Sequence, residues 1–127
     1  MKFLCLCHYD AAQFATMTPE DGQRIAEICA PHDHALKATG RVDFIGSLAL
    51  PEQSRTLRAA GGKVELEDGP FATAREPVGA FFLIEAEGME EAVEIASMHP
   101  GAHIGHLFGG GIEIRPVEML ETPHLHA

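Results

Sequence analysis

Residues 77–87, PVGAFFLIEAE, form the most apolar segment of the sequence and decide how the rest is arranged. Apolar residues stand at both odd and even positions of its centre, 81-FFLIEA-86. Since successive side chains of a strand point to opposite faces of a sheet, this pattern predicts a central strand that is covered on both faces. The rest of the molecule must therefore supply a layer on each side of this strand.

The other predicted strands are placed around this segment. KFLCLCHY (2–9) is also apolar at both parities and predicts a second central strand. Further strands are predicted at 42–50 and 111–120. The segments 54–60 and 63–68 flank Gly61-Gly62, which is a two-residue hairpin signal.

Two helices are predicted between the strands. The first begins after Thr18, which can cap it, with Pro19 at the first helical position, and runs toward Gly40. We expect a kink or a break at Pro31 inside this helix. The second helix is predicted from residue 89 to 99, where the following proline stops it.

The order of these elements is strand, helix, strand, hairpin, strand, helix, strand. It predicts one α+β domain over residues 1–127 with a ferredoxin-like split βαβ fold, an inserted β-hairpin, and both helices on one face of an antiparallel sheet. The glycine-rich segment 100–111 is expected to be irregular, and the tail 121–127 to be loose. The other face of the sheet would be bare, so we predict a homodimer through this open sheet face.

Composition limits the classes of partner. The 9 basic and 19 acidic residues give a net charge of −10, which argues against nucleic acid as a partner. No apolar run approaches the roughly 18 residues that would span a membrane. The three cysteines, an odd number, indicate reduced thiols and a cytoplasmic location.

Several short motifs occur in one order along the second half of the chain. This series resembles the YCII-related family in its DGPF-motif branch, and it consists of Asp68-Gly69-Pro70-Phe71, Arg75-Glu76, Gly79 with Phe81, His99-Pro100 and Arg115-Pro116. The first half is similar through a strand, a capped helix and Gly40-Arg41-Val42. The chain departs from the family at Pro31 and Ala80, and at His99, where the broader group often has an aspartate.

The resemblance implies a dimeric α/β-barrel. Some YCII-related proteins act in the breakdown of chlorinated aromatic compounds, and a histidine in the first helix together with an aspartate is regarded as their acid–base site. Related dimeric barrels include cofactor-free monooxygenases and isomerases. The resemblance thus implies a fold, while fold analogy alone does not select one reaction.

His32 is the sharpest candidate for acid–base chemistry in the sequence. It falls in the apolar stripe of the first helix, so it should face the sheet, where a histidine needs a hydrogen-bond partner. Asp33, at the edge of the stripe, can orient it. The alternative is a structural histidine bonded to backbone beside Pro31.

Asp68 is the second candidate, at the end of the predicted hairpin. It either caps its own turn through backbone N–H groups or presents a carboxylate to a pocket. Three further residues are candidates for substrate binding: Arg115, His99 and Arg41. Arg115 can instead pair with Glu113 or Asp68, and His99 can act as a C-terminal helix cap.

A metal site is a weaker hypothesis. His99, His103 and His106 form a His-x3-His-x2-His spacing that suits a transition metal, but the glycines around them give no preorganisation. We therefore predict no metal and no organic cofactor. The absence of a Gly-Lys-[Ser/Thr] ending also argues against a phosphate loop at GGGIEIR.

The sequence supports two classes of function. The first is a small cofactor-independent enzyme for proton transfer, elimination or isomerisation on a small molecule, including an aromatic one, with His32 as acid–base and Asp68 or Asp33 beside it. The second is a non-catalytic small-molecule-binding or regulatory accessory dimer. The family resemblance alone suggests a further possibility, an interaction partner of a transcription regulator. An enzyme needs a histidine and a carboxylate that converge on an open cavity.

Overall fold

A four-stranded antiparallel sheet and a separate hairpin make up the strands of the protein. The computed structural model describes residues 1–125. The sheet contains β1 (Lys2–His8), β2 (Val42–Ser47), β5 (Val78–Glu85) and β6 (Gly111–Pro116), in the order β2-β5-β1-β6. The hairpin pairs β3 (Arg55–Ala60) with β4 (Lys63–Asp68). This order confirms the ferredoxin-like fold and the inserted hairpin, with the two apolar segments as central strands.

The predicted first helix is present, preceded by a short helix that the sequence pattern did not reveal. Helix α1 (Ala11–Ala15) follows a cap by Asp10, whose carboxylate accepts from two backbone N–H groups. Helix α2 (Pro19–Ala38) starts with a reciprocal capping box between Thr18 and Asp21, as the sequence suggests.

Helix α2 continues through Pro31, so the prediction of a break there is wrong. A proline removes one backbone hydrogen bond, but a helix survives this loss when its neighbouring turns stay packed. Cys29 and His32 are partly buried, and Leu36 on the next turn is fully buried. The packing of this face therefore holds the helix on both sides of the proline.

The segment after the second predicted helix is more regular than expected. Helix α3 (Met89–Ala96) is followed by a 3₁₀ turn at Pro100–Ala102 and a one-turn helix, α4 (Gly105–Phe108). The expectation of irregular structure over 100–111 is therefore wrong. Ile104 is 6% exposed, and its burial ties this weak helical sequence to the body of the protein.

Glycine is required where α4 joins β6. Gly109 and Gly110 have φ of +67° and +69°, in the left-handed region that side-chain-bearing residues rarely adopt. A Cβ on Gly110 would also collide with the carbonyl oxygen of His8. The glycine run before the last strand thus allows close backbone contact with the end of β1.

The main core lies between the sheet and the helices. Residues from β1 and β5, including Phe3, Cys5 and Phe82, pack against α2 and α3. Leu36 and Ala92 contribute from the two helices and are 0% exposed. Both long helices therefore cover the same face of the sheet, as predicted.

The opposite face of the sheet is less well covered. Leu6 pairs with Phe81 across the two central strands, and both are partly buried. Phe44 on the neighbouring strand contacts the Phe81 ring with a centroid distance of 6.0 Å, yet it is 45% exposed. This group, with Leu4, is called the open face below.

The chain ends in a short turn, and its helices do not suit a membrane. A 3₁₀ turn spans Pro123–Leu125. It lies within the predicted loose tail 121–127, whose last two positions, 126 and 127, lie outside the described residues. Over residues 1–125, no helix has the length and apolar character needed to cross a bilayer.

Candidate functional site

A cavity of about 270 Å³ lies at one end of the main core. We call it the inner cavity. Its walls come from the end of β1, from α1 and α2, from the start of β5, and from the segment after α3. The polar or reactive side chains that line it are His8, Tyr9, Cys7, Cys29 and His99. Such a cavity, mostly apolar with a few convergent polar groups, has the general character of a small-molecule site.

His99 is the best-defined polar side chain of the inner cavity. Its ring stacks on Phe82 with a centroid distance of 4.6 Å and an interplanar angle of 1°. Its Nδ1 accepts a hydrogen bond of 2.9 Å from the Gly101 N–H. Because an acceptor nitrogen carries no proton, the neutral ring carries its proton on Nε2.

The surroundings of His99 favour that neutral ring. Burial lowers the pKa of His99, and the negative charge of Asp33 opposes this shift more weakly. The Cys7 sulfur lies 3.9 Å from both ring nitrogens, so it is not aligned with the Nε2–H bond, and sulfur is a weak acceptor. Because His99 lines the cavity, its Nε2–H is the candidate donor to a molecule bound there. The alternative of a charged C-terminal cap for the preceding helix is wrong, because the ring points inward and caps the following turn instead.

The two thiols of the inner cavity are held in the protonated form. Burial raises the pKa of Cys7 to about 11. Burial also raises the pKa of Cys29, and Asp33 adds to this shift. Since the thiolate is the nucleophilic form of cysteine, neither thiol is activated for nucleophilic chemistry. All three cysteines are free.

His32 and Asp33 lie close to this region on α2. The His32 ring stacks on His103 with a centroid distance of 3.9 Å and an interplanar angle of 4°. His103 in turn donates its Nε2–H to the Ser97 carbonyl at 2.6 Å. Asp33 pairs with Lys37 at 2.8 Å while its charge acts on both His99 and Cys29. The Asp33 side chain is 43% exposed, so its charge acts on His99 from the rim of this region, whereas the ring contact of His32 is with the segment after α3.

Asp68 lies in a different environment, at the end of the hairpin. Its side chain is 90% exposed and pairs with the Nε of Arg55 at 3.0 Å. The Asp68 carboxylate accepts from Arg55, which takes the place of the bonds from backbone N–H groups of its own turn that were one of the two alternatives. The structure therefore does not bring Asp68 and His32 into contact, and a role of Asp68 in catalysis stays a prediction.

The two candidate arginines form ion pairs. Arg115 pairs with Glu113 at 3.3 Å, which is the alternative that the sequence analysis left open. Arg41 binds Glu91 at 2.6 Å and the Glu85 carbonyl at 3.1 Å. Their role in substrate binding stays a prediction.

The three histidines of the proposed metal spacing have separate surroundings. His99 faces the interior, His103 stacks on His32, and His106 is exposed on α4. Over residues 1–125, no group of three or more His, Cys, Asp or Glu side chains could hold a metal ion. The metal hypothesis thus receives no geometric support within this part of the chain.

Sequence reasoning missed the residues that line the inner cavity, apart from His99. Cys7 and Cys29 were assigned no role from the sequence beyond that of reduced thiols. Tyr9, Phe14 and Phe108 form an aromatic cluster with centroid distances of 5.5–5.9 Å. The available signal was Asp10 as a helix cap, which would have placed α1 and therefore Phe14 beside the end of the first strand.

Comparisons with known proteins place the chain in a family. It is 24% identical to the uncharacterized protein R00369 of Rhizobium meliloti (strain 1021) over 125 residues, which cover 98% of both chains. It is also similar to the solved structure of 5-chloro-2-hydroxyhydroquinone dehydrochlorinase from Burkholderia phenoliruptrix in complex with 2,5-dihydroxybenzoquinone. That similarity has a TM-score of 0.49 and 19% identity, over 94% of this chain and 96% of that one. A sequence model of the YCII-related domain matches residues 1–119, so the chain belongs to the YCII-related family.

Proposed function

We propose that the inner cavity binds a small carbonyl compound, including an aromatic one, and that His99 donates a hydrogen bond to its carbonyl oxygen. The observation that carries this proposal is the Gly101 N–H bond to Nδ1, which leaves Nε2–H, beside the weakly accepting Cys7 sulfur, as the donor of a neutral ring. A neutral imidazole in an apolar site can polarise a carbonyl group without carrying a charge itself. The lining of the cavity is mainly apolar, so few side chains of the wall compete for this bond.

Polarisation of a carbonyl group favours removal of a proton from the adjacent carbon. The resulting enolate oxygen receives the hydrogen bond from His99, and the proton passes to a separate base. This division of roles suits isomerisation or elimination beside a carbonyl and requires no organic cofactor. Asp33 and His32 are the candidate bases, and the charge of Asp33 already acts on His99. The assignment of either residue as the base stays a prediction.

The alternative is a non-catalytic binding or regulatory module. One observation favours it: the cavity-lining thiols are protonated and the cavity-lining His99 is neutral, with its Nδ1 lone pair already occupied. A site of this kind can bind a carbonyl compound without accepting a proton. Binding and proton removal must therefore be measured separately.

The first experiment uses acetophenone as the probe and two substitutions of His99. The side-chain nitrogen of glutamine can take the place of Nε2, whereas the side-chain oxygen of asparagine can take the place of Nδ1. We expect His99→Gln to keep binding and His99→Asn to weaken it by about three- to tenfold, the value of one hydrogen bond. Binding is measured by NMR titration, with His106→Asn as an exposed control.

Equal binding by all four proteins would contradict the donor role of His99. Catalysis is measured with the same probe in D₂O, where exchange of the methyl protons of acetophenone reports proton removal beside the carbonyl. Catalysed exchange that is lost in His99→Asn supports the enzyme. Binding without any catalysed exchange supports the non-catalytic module instead.

We also propose a homodimer that buries the open face, in a cytoplasmic protein. The exposure of Phe44 supports the dimer, and the three free thiols are compatible with a reducing compartment. Phe44→Glu should convert a dimer to a monomer in light scattering after gel filtration. Val93→Glu, at a residue that is 48% exposed on the outer side of α3, is the matched control. A monomeric wild-type protein would contradict the dimer.

A further inference from the structure

A second, larger cavity of about 700 Å³ lies beside the inner cavity. We call it the outer cavity. It is bounded by α1, by the connection 48–54 between β2 and β3, and by the loop 70–78 that follows the hairpin. The loop includes Pro70 of the Asp-Gly-Pro-Phe motif, which therefore lies on the wall of this cavity.

The two cavities share part of their walls. Tyr9, Phe14, Leu48 and Leu50 line both of them. Tyr9 is fixed at this boundary, because it is 6% exposed and packs against Phe14 with a centroid distance of 5.6 Å. Gly79 allows this position, since a Cβ there would come within 2.7 Å of the Tyr9 ring. The outer cavity thus adjoins the inner cavity across these four side chains.

The chemistry of the outer cavity differs from that of the inner one. The side chains that face it are mainly small and apolar, as in Ala15, Ala72, Ala74, Pro77 and Val78. Among the residues that the structure describes, its lining includes no histidine, cysteine, lysine or arginine, and its acidic residue is Glu52. Such a lining favours an uncharged apolar group and provides no cation for an anionic one.

We propose that the two cavities form one binding site with two compartments. The inner cavity holds the carbonyl group of the ligand, and the outer cavity holds an uncharged alkyl or aryl extension of the same molecule. The ligand class is therefore a carbonyl compound with an apolar extension several carbon atoms long. This inference rests on the proposed function of the inner cavity. It also gives the Asp-Gly-Pro-Phe turn a role, since the turn places Pro70 and the following residues against the extension.

The experiment compares acetophenone with a series of para-alkylacetophenones, from methyl to hexyl. Each CH₂ group that enters the outer cavity should tighten binding by up to about fourfold. Ala74→Trp fills the outer cavity, so it should remove this dependence on chain length while the affinity for acetophenone stays unchanged. Ala26→Trp, on the exposed side of α2, is the matched control and should keep the full dependence. If Ala74→Trp does not fold, Ala15→Trp fills the same cavity from α1.

The outcomes separate the two proposals. Acetophenone that binds with no effect of chain length in the wild-type protein would overturn the two-compartment site and leave the proposed function intact. Chain-length dependence that survives both Ala74→Trp and Ala15→Trp would overturn it as well. Failure of every member of the series to bind would overturn the proposed function and, with it, this inference.

Discussion

Two regions of the protein contain a phenylalanine ring covered by a nitrogen-rich side chain, and they differ in burial. In the interior, His99 stacks on Phe82, which is 0% exposed. On the hairpin, Arg58 lies over Phe71 at 4.3 Å from the ring centroid, and Phe71 is 68% exposed. In the first pair His99 lines the inner cavity, while in the second pair Phe71 belongs to the Asp-Gly-Pro-Phe turn.

The difference shows how burial changes the chemistry of similar groups. Water solvates Arg58 and Asp68 on the hairpin. The ion pairs there replace contacts that the same charges would otherwise make with water, so they change the stability little. In the interior the loss of water lowers the pKa of His99, and the Gly101 N–H determines which nitrogen carries its proton. The carboxylate of the motif, Asp68, and the ring of His99 therefore lie in different environments of one chain.

The largest expected effect comes from removing the Phe82 ring, and removal of the Phe71 ring is the comparison. Phe82→Ala should lower the free energy of unfolding by about 3–5 kcal/mol, because it deletes a fully buried ring and leaves a cavity beneath His99. Phe71→Ala should cost less than about 1 kcal/mol, since its ring is largely in water already. Urea unfolding monitored by circular dichroism measures both. Similar losses in the two variants would contradict the contrast between the regions.

The next largest effect is a dependence of the free energy of unfolding on pH, which arises from His99 in the interior. Burial lowers the pKa of His99 in the folded protein below its ordinary value of 6.5. Below that pH the unfolded chain binds a proton that the folded chain resists, so the free energy of unfolding falls as the pH falls. The contribution of His99 to the slope of the free energy of unfolding against pH is at most about 1.4 kcal/mol per pH unit. It disappears above the ordinary pKa of histidine.

Comparison of variants isolates this contribution from that of the other histidines. Unfolding curves of the wild type and of His99→Gln are recorded between about pH 5 and pH 8, the range of histidine titration. The wild type should lose more stability at the acidic end than His99→Gln does. His106→Gln, at an exposed position on α4, should follow the wild type. Parallel curves for wild type and His99→Gln would show that burial does not oppose protonation of His99.

The fold was predictable because its signals are local. The apolar runs of the two central strands, the Thr18 cap and the Gly61-Gly62 turn each act within a few residues, and each predicts an element that is present. The helical turn of α4 was not predictable in this way. Its sequence contains or adjoins several glycines with low helix propensity, and it is ordered by the burial of Ile104 and the contact of Phe108 with Tyr9.

The candidate site was predictable only in part. Helical periodicity places His32 on the inner face of α2, and the structure shows it partly buried there. His99 follows the end of α3, where periodicity gives no direction for a side chain. The direction of its ring depends on the Gly101 N–H and on Phe82, which come from a turn and from a distant strand. Such contacts exist only after folding, so the sequence pattern does not encode them locally.

The smallest expected effect comes from Asp68, although it belongs to the motif that marks the family. Asp68→Asn removes an ion pair with Arg55 in which the two side chains are 90% and 63% exposed. Exposed pairs of this kind contribute at most about 1 kcal/mol, and salt screens them further. The variant should therefore unfold within about 1 kcal/mol of wild type and bind acetophenone equally well, while Arg55→Gln should match it. A change in the NMR signals of the His32 or His99 ring in Asp68→Asn would show that the hairpin communicates with the interior, and the separation of the two regions would then be wrong.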